Sequence, residues 1–203
     1  MTAIHLEGAL APEFSPSAYL VEGTFTDPPL DPPAAPSIDD AVKAAVRSLL
    51  RFGGYKPSGR GRPASESLAK AVEDGRWPSI HPLVDECNRL SLASGLPISA
   101  LDADLLQGNL RVRIGQPGES YVFNPSGQEL DLKGLLLLAD ESGPTGSPVK
   151  DAQRSKISAE TGRFLILVWA TSAAPAARDL VEQGLRAWCS ERSTDCQEIP
   201  TLA

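Results

Sequence analysis

The chain has 203 residues, 41% hydrophobic, 22% charged and 5% aromatic, which is enough for one large domain or one domain with an added arm. Twenty-six acids against 19 bases give a formal charge of −7, which argues against a generic DNA-coating protein but leaves room for a local basic patch. No apolar run approaches the ~20 residues of a membrane span, and no basic stretch precedes an apolar core near Met1. The three cysteines Cys87, Cys189 and Cys196 have no metal-like spacing, so a soluble, reduced, cytoplasmic protein without metal or cofactor is expected.

Ala18–Thr26 alternates apolar and polar residues and predicts a strand. Asp27–Pro36 carries five prolines and predicts an extended linker. Residues 1–36 therefore read as an N-terminal strand and proline-rich arm, and 37–203 as the main domain. Ser37 is placed to cap a helix whose stripe is Val42, Ala45, Val46 and Leu49, stopped by Gly53 and Gly54. The Gly/Pro/Arg loop 53–65 holds Lys56, Arg60 and Arg62 and no acid. Ser65 then caps a short helix with Leu68, Ala71 and Val72, and Trp77-Pro78 makes a turn.

Pro82 suits the first position of a helix running to about Ala93, ended by Gly95 and Pro97. From Leu110 the period becomes two: Leu110–Ile114, Ser120–Phe123 and Glu129–Leu132 predict a meander with turns at Gly115–Gly118 and Asn124–Gly127. The continuous apolar runs Leu135–Ala139 and Phe164–Ala170 predict strands covered on both faces. Between them, Asp140–Thr161 reads as a long polar loop. A last helix, about Pro175 to Ser190, should turn Leu180, Val181, Leu185 and Trp188 inward. The class predicted is α+β, with a largely antiparallel sheet and a closing helix.

No P-loop, GxGxxG, GxSxG, HExxH or CxxC is present, and two histidines make a histidine-based triad improbable. His81, Asp85 and Asn88 share one helix face, either as a polar wall of a pocket or as a helix-end histidine with a dipole-stabilising aspartate. Residues 143–161 carry Gly146, Ser147, Lys150, Asp151, Arg154, Ser158 and Thr161, a polar set suited to holding an anion or an ester carbonyl. Asp151 and Arg154 could equally form a surface ion pair. Cys87 reads as a buried inert thiol, and Trp169 and Trp188 as core residues.

Residues 77–123, with Leu83-Val84-Asp85, Asn88, Gly95-Leu96-Pro97, Asp102/Asp104, Gly108 and Arg111-Val112-Arg113, resemble the B3/B4 domain of the phenylalanyl-tRNA synthetase beta chain. Arg62–Glu66 upstream and Ser147-Pro148, Asp151, Arg154 and Thr161 downstream resemble its free-standing members. The resemblance spans about residues 45–190. It implies a domain that binds the acylated end of tRNA and hydrolyses a misacylated ester in trans; the alternative is a non-catalytic RNA- or amino-acid-binding module. It implies Ser147 and Asp151 in catalysis, and His81, Asp85, Asn88, Gly146, Arg154 and Thr161 in substrate binding. Lys56, Arg60 and Arg62 would guide the acceptor stem of tRNA, with no role for DNA or membrane. Two positions depart from the synthetase pattern: Ser99 stands where a histidine is expected, and Leu167 where a glutamate reads the tyrosine hydroxyl. With Asp151 available, the resemblance points to another side chain, cationic or guanidinium-like, and canavanyl-tRNA is one candidate within the family.

Overall fold

The computed structural model describes residues 3–28, 38–77 and 79–202. Its first helix, α1 (Asp40–Arg51), is capped by the Asp39 carboxylate, which accepts from Ala41 N at 2.8 Å and Val42 N at 3.2 Å. Ser37, the cap expected from sequence, lies outside the described residues, as does most of the proline linker and Pro78. Helix α2 (Ala64–Glu73) begins one residue before its expected cap. Ser65 is buried inside the first turn, and Ala69 is the deepest apolar residue. Helix α3 (Pro82–Ser94) has Pro82 at its first turn, where a missing N–H costs nothing, and ends at Gly95 with φ 78°. Helix α4 (Pro175–Glu191) turns Val181, Leu185 and Trp188 inward, but Leu180 is 40% exposed and belongs to its outer face.

Two sheets carry the core. The first has five strands in the order β11 (Thr201–Leu202), β1 (Ile4–Leu6), β4 (Leu110–Ile114), β7 (Leu136–Asp140) and β8 (Gly143–Gly146). Strand β1 is parallel to both neighbours, and the remaining pairs are antiparallel. The second is antiparallel, in the order β10 (Cys196–Ile199), β2 (Ser17–Glu22), β9 (Arg163–Val168) and β3 (Ile98–Asp102). A separate hairpin pairs β5 (Ser120–Val122) with β6 (Glu129–Asp131). The fold is α+β, and among the described residues no helix is long and apolar enough to cross a membrane. Leu110, Val112, Leu136, Leu138, Leu165, Leu167 and Trp169 share one continuous core, with Ile114 half-buried against it.

The polar stretch after Asp140 is not one long loop. Its first part, Gly143–Gly146, forms β8 against β7, across a bulge between Leu138 and Ala139. Likewise Ile98–Asp102, where the sequence pattern predicts no strand, is the edge strand that positions the cavity described below.

The loop leaving α1 passes so close to the turn before β7 that a Cβ on Gly53 would stand 2.3 Å from the Gly134 carbonyl oxygen and 2.7 Å from Ile114 Cγ2. Backbone on both sides cannot yield cheaply. Gly53→Ala is expected to cost about 1–3 kcal/mol in a reversible thermal or urea melt, and an unchanged midpoint would show that the two segments separate freely.

Candidate functional site

A cavity of about 540 Å³ opens between α3, the edge strand β3, the turn after β5 and the segment that follows β8. Val84, Cys87 and Asn88 come from α3, because residues three and four apart share a helix face. Ile98 and Ala100 come from one face of β3, Phe123 and Asn124 from the hairpin, and Lys150, Asp151, Lys156 and Ile157 from the polar segment. The walls are mostly apolar with a few aimed polar groups, the usual form of a small-ligand site.

Asp151 supplies the one carboxyl in its lining. Ser99 Oγ donates to Asp151 Oδ1 at 2.6 Å, and in turn accepts from the indole Nε1 of Trp169 at 2.9 Å. Ser147 N donates to the same oxygen at 3.3 Å. Burial pushes the Asp151 carboxyl up to about 7; the bonds from Ser99 and Ser147 and the positive charge of Lys156 offset only part of that push. Gly146 stands behind this carboxyl, where a Cβ would come within 2.9 Å of Oδ1.

On the opposite wall, the side-chain amide of Asn88 makes no hydrogen bond among the described residues and is only half-buried, so it is free to address a ligand. Lys156 Nζ donates to the Phe123 carbonyl at 2.5 Å, and Lys150 Nζ sits 3.7 Å from the centre of the Phe123 ring. Burial lowers the Lys150 pKa, and the nearby charges of Arg60 and Lys156 lower it further.

Phe123 and Lys150 also form the wall of a second cavity of about 890 Å³, which holds Lys56, Arg60 and Lys133. Two chambers therefore share a partition: one apolar with a carboxylate and an amide, the other basic.

Of the residues singled out from sequence, Asn88, Lys150 and Asp151 meet in the apolar cavity, and Lys56, Arg60 and again Lys150 line the basic one. Arg62 lies in a separate cleft between α1 and α2, its Nε donating to the Gly59 carbonyl at 2.8 Å. The others are turned to structural work. Ser147 is buried, its Oγ donating to the Lys150 carbonyl at 2.8 Å and accepting from Tyr121 OH at 2.9 Å and from the N–H groups of Val149 and Lys150. That hydroxyl is saturated and unsuited to attack a substrate. Arg154 does not pair with Asp151; it grips the buried Asp140 at 2.7 and 3.0 Å and also donates to the Gly143 carbonyl. Thr161 Oγ1 donates to Asp102 at 2.6 Å. Asp85 accepts from Ser79 Oγ and Ile80 N and fixes the approach to α3. His81 caps α3 through Nδ1 and packs against the rings of Phe25 and Phe164, and its burial lowers its pKa.

Leu167 is fully buried and pairs with Ser99 across β3 and β9. Because the cavity takes the Ile98 and Ala100 face of β3, Leu167 is on the far side and does not line it. Phe123, Asn124, Lys133 and Lys156 were not singled out as site residues from the sequence. Lys156 sits within the polar segment that was singled out, whereas Phe123 carries no signal beyond following a strand.

The site thus lies in an α+β domain, with a largely apolar cavity set against a basic one. A family model described as "B3/4 domain" matches residues 56–195, and the chain belongs to that family. It is 31% identical over 118 residues to the phenylalanine–tRNA ligase beta subunit of Chromobacterium violaceum, covering 55% of this chain and 15% of that relative. Against the beta subunit of Pasteurella multocida it is 36% identical over 128 residues, 62% of this chain and 16% of the relative. The match thus spans only a small part of the length of these curated relatives. The crystal structure of an N-terminal fragment of the phenylalanyl-tRNA synthetase beta-subunit from Pyrococcus horikoshii shares the fold, with a TM-score of 0.56 at 13% identity, covering 98% of this chain and 51% of that one.

Proposed function

We propose that this chain binds the acylated 3′ end of a tRNA and hydrolyses a misacylated aminoacyl ester in trans, in the cytoplasm. The supporting observation is the pair of chambers divided by Phe123 and Lys150, with Asn88 and Asp151 in the apolar one and Lys56 and Arg60 in the basic one. The amino acid would occupy the first and the terminal nucleotide the second, so the ester crosses the partition. Asp151 as carboxylate would hold the α-amino group or a cationic side chain, with Asn88 opposite. Water adds to the ester carbonyl carbon, the carbon–oxygen bond to ribose breaks, and the ribose oxygen leaves with a proton. The tetrahedral oxyanion needs donors aimed at it, and the ammonium of Lys150, which lines both chambers, would supply one. No protein nucleophile is required, since a ribose hydroxyl of the substrate can assist.

The saturated hydroxyl of Ser147 and the absence of an imidazole at Ser99 favour a second reading, a module that binds the acylated end without cleaving it. Incubating the purified chain with tRNAs misacylated by a panel of amino acids separates the two. Release of one amino-acid class faster than spontaneous hydrolysis is expected. Binding of acylated tRNA with no release from any member would leave the module reading standing.

A further inference from the structure

The protein is acidic overall, yet its free cations are not scattered. Eleven of its 19 lysines and arginines lie within ion-pair distance of a carboxylate among the described residues. Of the eight without such a partner, Lys56, Arg60, Lys133 and Lys150 line the basic cavity, and Lys156 the apolar one beside it. Lys43 and Arg62 line the cleft of about 420 Å³ between α1 and α2, and Arg51, on α1 itself, lines none of these three. In that cleft Glu66 is already held by Arg47 at 2.6 and 2.7 Å, and Glu73 stands 3.8 Å from Lys70. In the basic cavity four cations face Glu129 and Asp131.

The two clefts sit at opposite ends of α1. One is lined by Lys43 in its first turn, the other by Gly53 and Gly54 just past its last. Eight residues of helix run from Lys43 to the end of α1 at Arg51, about 12 Å at ~1.5 Å per residue. The loop 53–65 bridges them, with Gly61 in one cleft and Arg62 in the next. A duplex strand presents a phosphate every ~3.4 Å along its axis, so this strip matches several consecutive phosphates rather than one.

From this distribution we infer that the cationic strip along α1 and the 53–65 loop is a docking surface for the phosphodiester backbone of the tRNA acceptor arm, running from the chamber that takes the terminal nucleotide out to Lys43. The inference rests on the proposed function for the identity of its partner, but it does not require cleavage. Lysines and arginines that converge on one path repel one another locally, and a bound polyanion relieves that repulsion. The remaining surface, where cations are paired with acids, disfavours the same backbone, which orients the RNA.

The test uses the full chain and an unacylated RNA hairpin of about twelve base pairs ending in a single-stranded CCA, with affinity read by fluorescence anisotropy across a salt series. The slope of log affinity against log salt counts the phosphates neutralised. Lys43→Ala combined with Arg62→Ala is expected to flatten that slope by about two. Arg163→Ala, which removes a cation paired with Glu22 and Asp104, should leave it unchanged. Lys43→Glu alone, at a position with no hydrogen bond from its ammonium among the described residues, serves if the double variant folds poorly, and should weaken binding several-fold. An unchanged slope in the Lys43/Arg62 variant, an equal loss with Arg163→Ala, or competition by polyglutamate as effective as by RNA would each overturn the inference. Because the probe is unacylated, a chain that binds it in this way but deacylates nothing refutes the hydrolysis reading and not the docking surface.

Discussion

Asp151→Ala is expected to lower kcat/KM for ester hydrolysis by roughly 30- to 1000-fold, corresponding to about 2–4 kcal/mol of transition-state stabilisation. The carboxyl sits in a mostly apolar cavity, oriented by Ser99, which is itself fixed by Trp169. A substrate cation placed there meets little competing water. Since burial raises the carboxyl to about 7, the charged form is lost on the acid side of neutrality, and kcat/KM for the wild type should climb as pH rises through about 7. Asp151→Asn should abolish that step while keeping shape. Stability moves the opposite way. A carboxyl whose folded pKa lies above its unfolded value costs stability progressively as pH rises from about 4 to about 7, and in full above that, so Asp151→Asn should equal or exceed the wild-type melting temperature at pH 8. Activity that survives both substitutions, or a loss matched by unfolding, would remove Asp151 from the site.

The largest effect on stability is expected at Arg154. Its guanidinium makes two hydrogen bonds to Asp140, whose side chain is fully buried while that of Arg154 is 34% exposed. Burial pushes the Asp140 carboxyl up, but the Arg154 bonds and the N–H groups of Gln107 and Ser142 outweigh it and hold the pKa below the ordinary value. Arg154→Ala strands that charge. Breaking a buried pair costs about 3–5 kcal/mol, and the partial exposure of Arg154 brings the expectation down to about 2–3, a fall in Tm of roughly 5–10 °C for a chain of this size. The stabilisation is present above the ordinary carboxylate pKa near 4 and disappears as pH falls through the depressed folded value. The gap between wild type and variant should therefore be widest near neutrality and close in acid. A gap that widens toward pH 3 would contradict the pairing.

These two residues also mark how far the sequence could be read. Periodicity and punctuation were enough for α3, bounded by Pro82 and Gly95, for β4, whose apolar residues alternate with arginines, and for β7 and β9, whose apolar runs are continuous. Strands β1, β3, β8, β10 and β11 were not legible, because each is short and its apolar pattern too brief to show a period. Gly143–Gly146 even reads as part of a loop; only pairing with β7 makes it a strand. The polar segment 143–161 announced itself by composition, but composition cannot say which of its groups face a cavity. Arg154 and Ser147 carry the same chemistry in the sequence as Lys150 and Asp151, and differ only in that Asp140 and the Ser147–Lys150 turn consume them. The conjunction of Asn88 with Asp151 depends on β3 bringing α3 alongside the polar segment, a fact of topology.

That topology also sets an order of events in time. Strand β2 lies between β9 and β10, so Leu20 finds its neighbours at Leu165 and Gln197, and Ile4 finds its own at Leu110 and Thr201. On a ribosome, the earliest strands to emerge must wait for nearly the whole chain before either sheet can close. Helices and the β5–β6 hairpin can form first, since their contacts are local, whereas the sheets depend on distant pairings that make folding slow. Throughout that interval the leucine-rich strands around Leu136 and Leu165 stand uncovered, the state in which chains associate wrongly. Yield on expression should consequently respond to slower synthesis and to chaperone supply more than to changes at the solvent-facing helices.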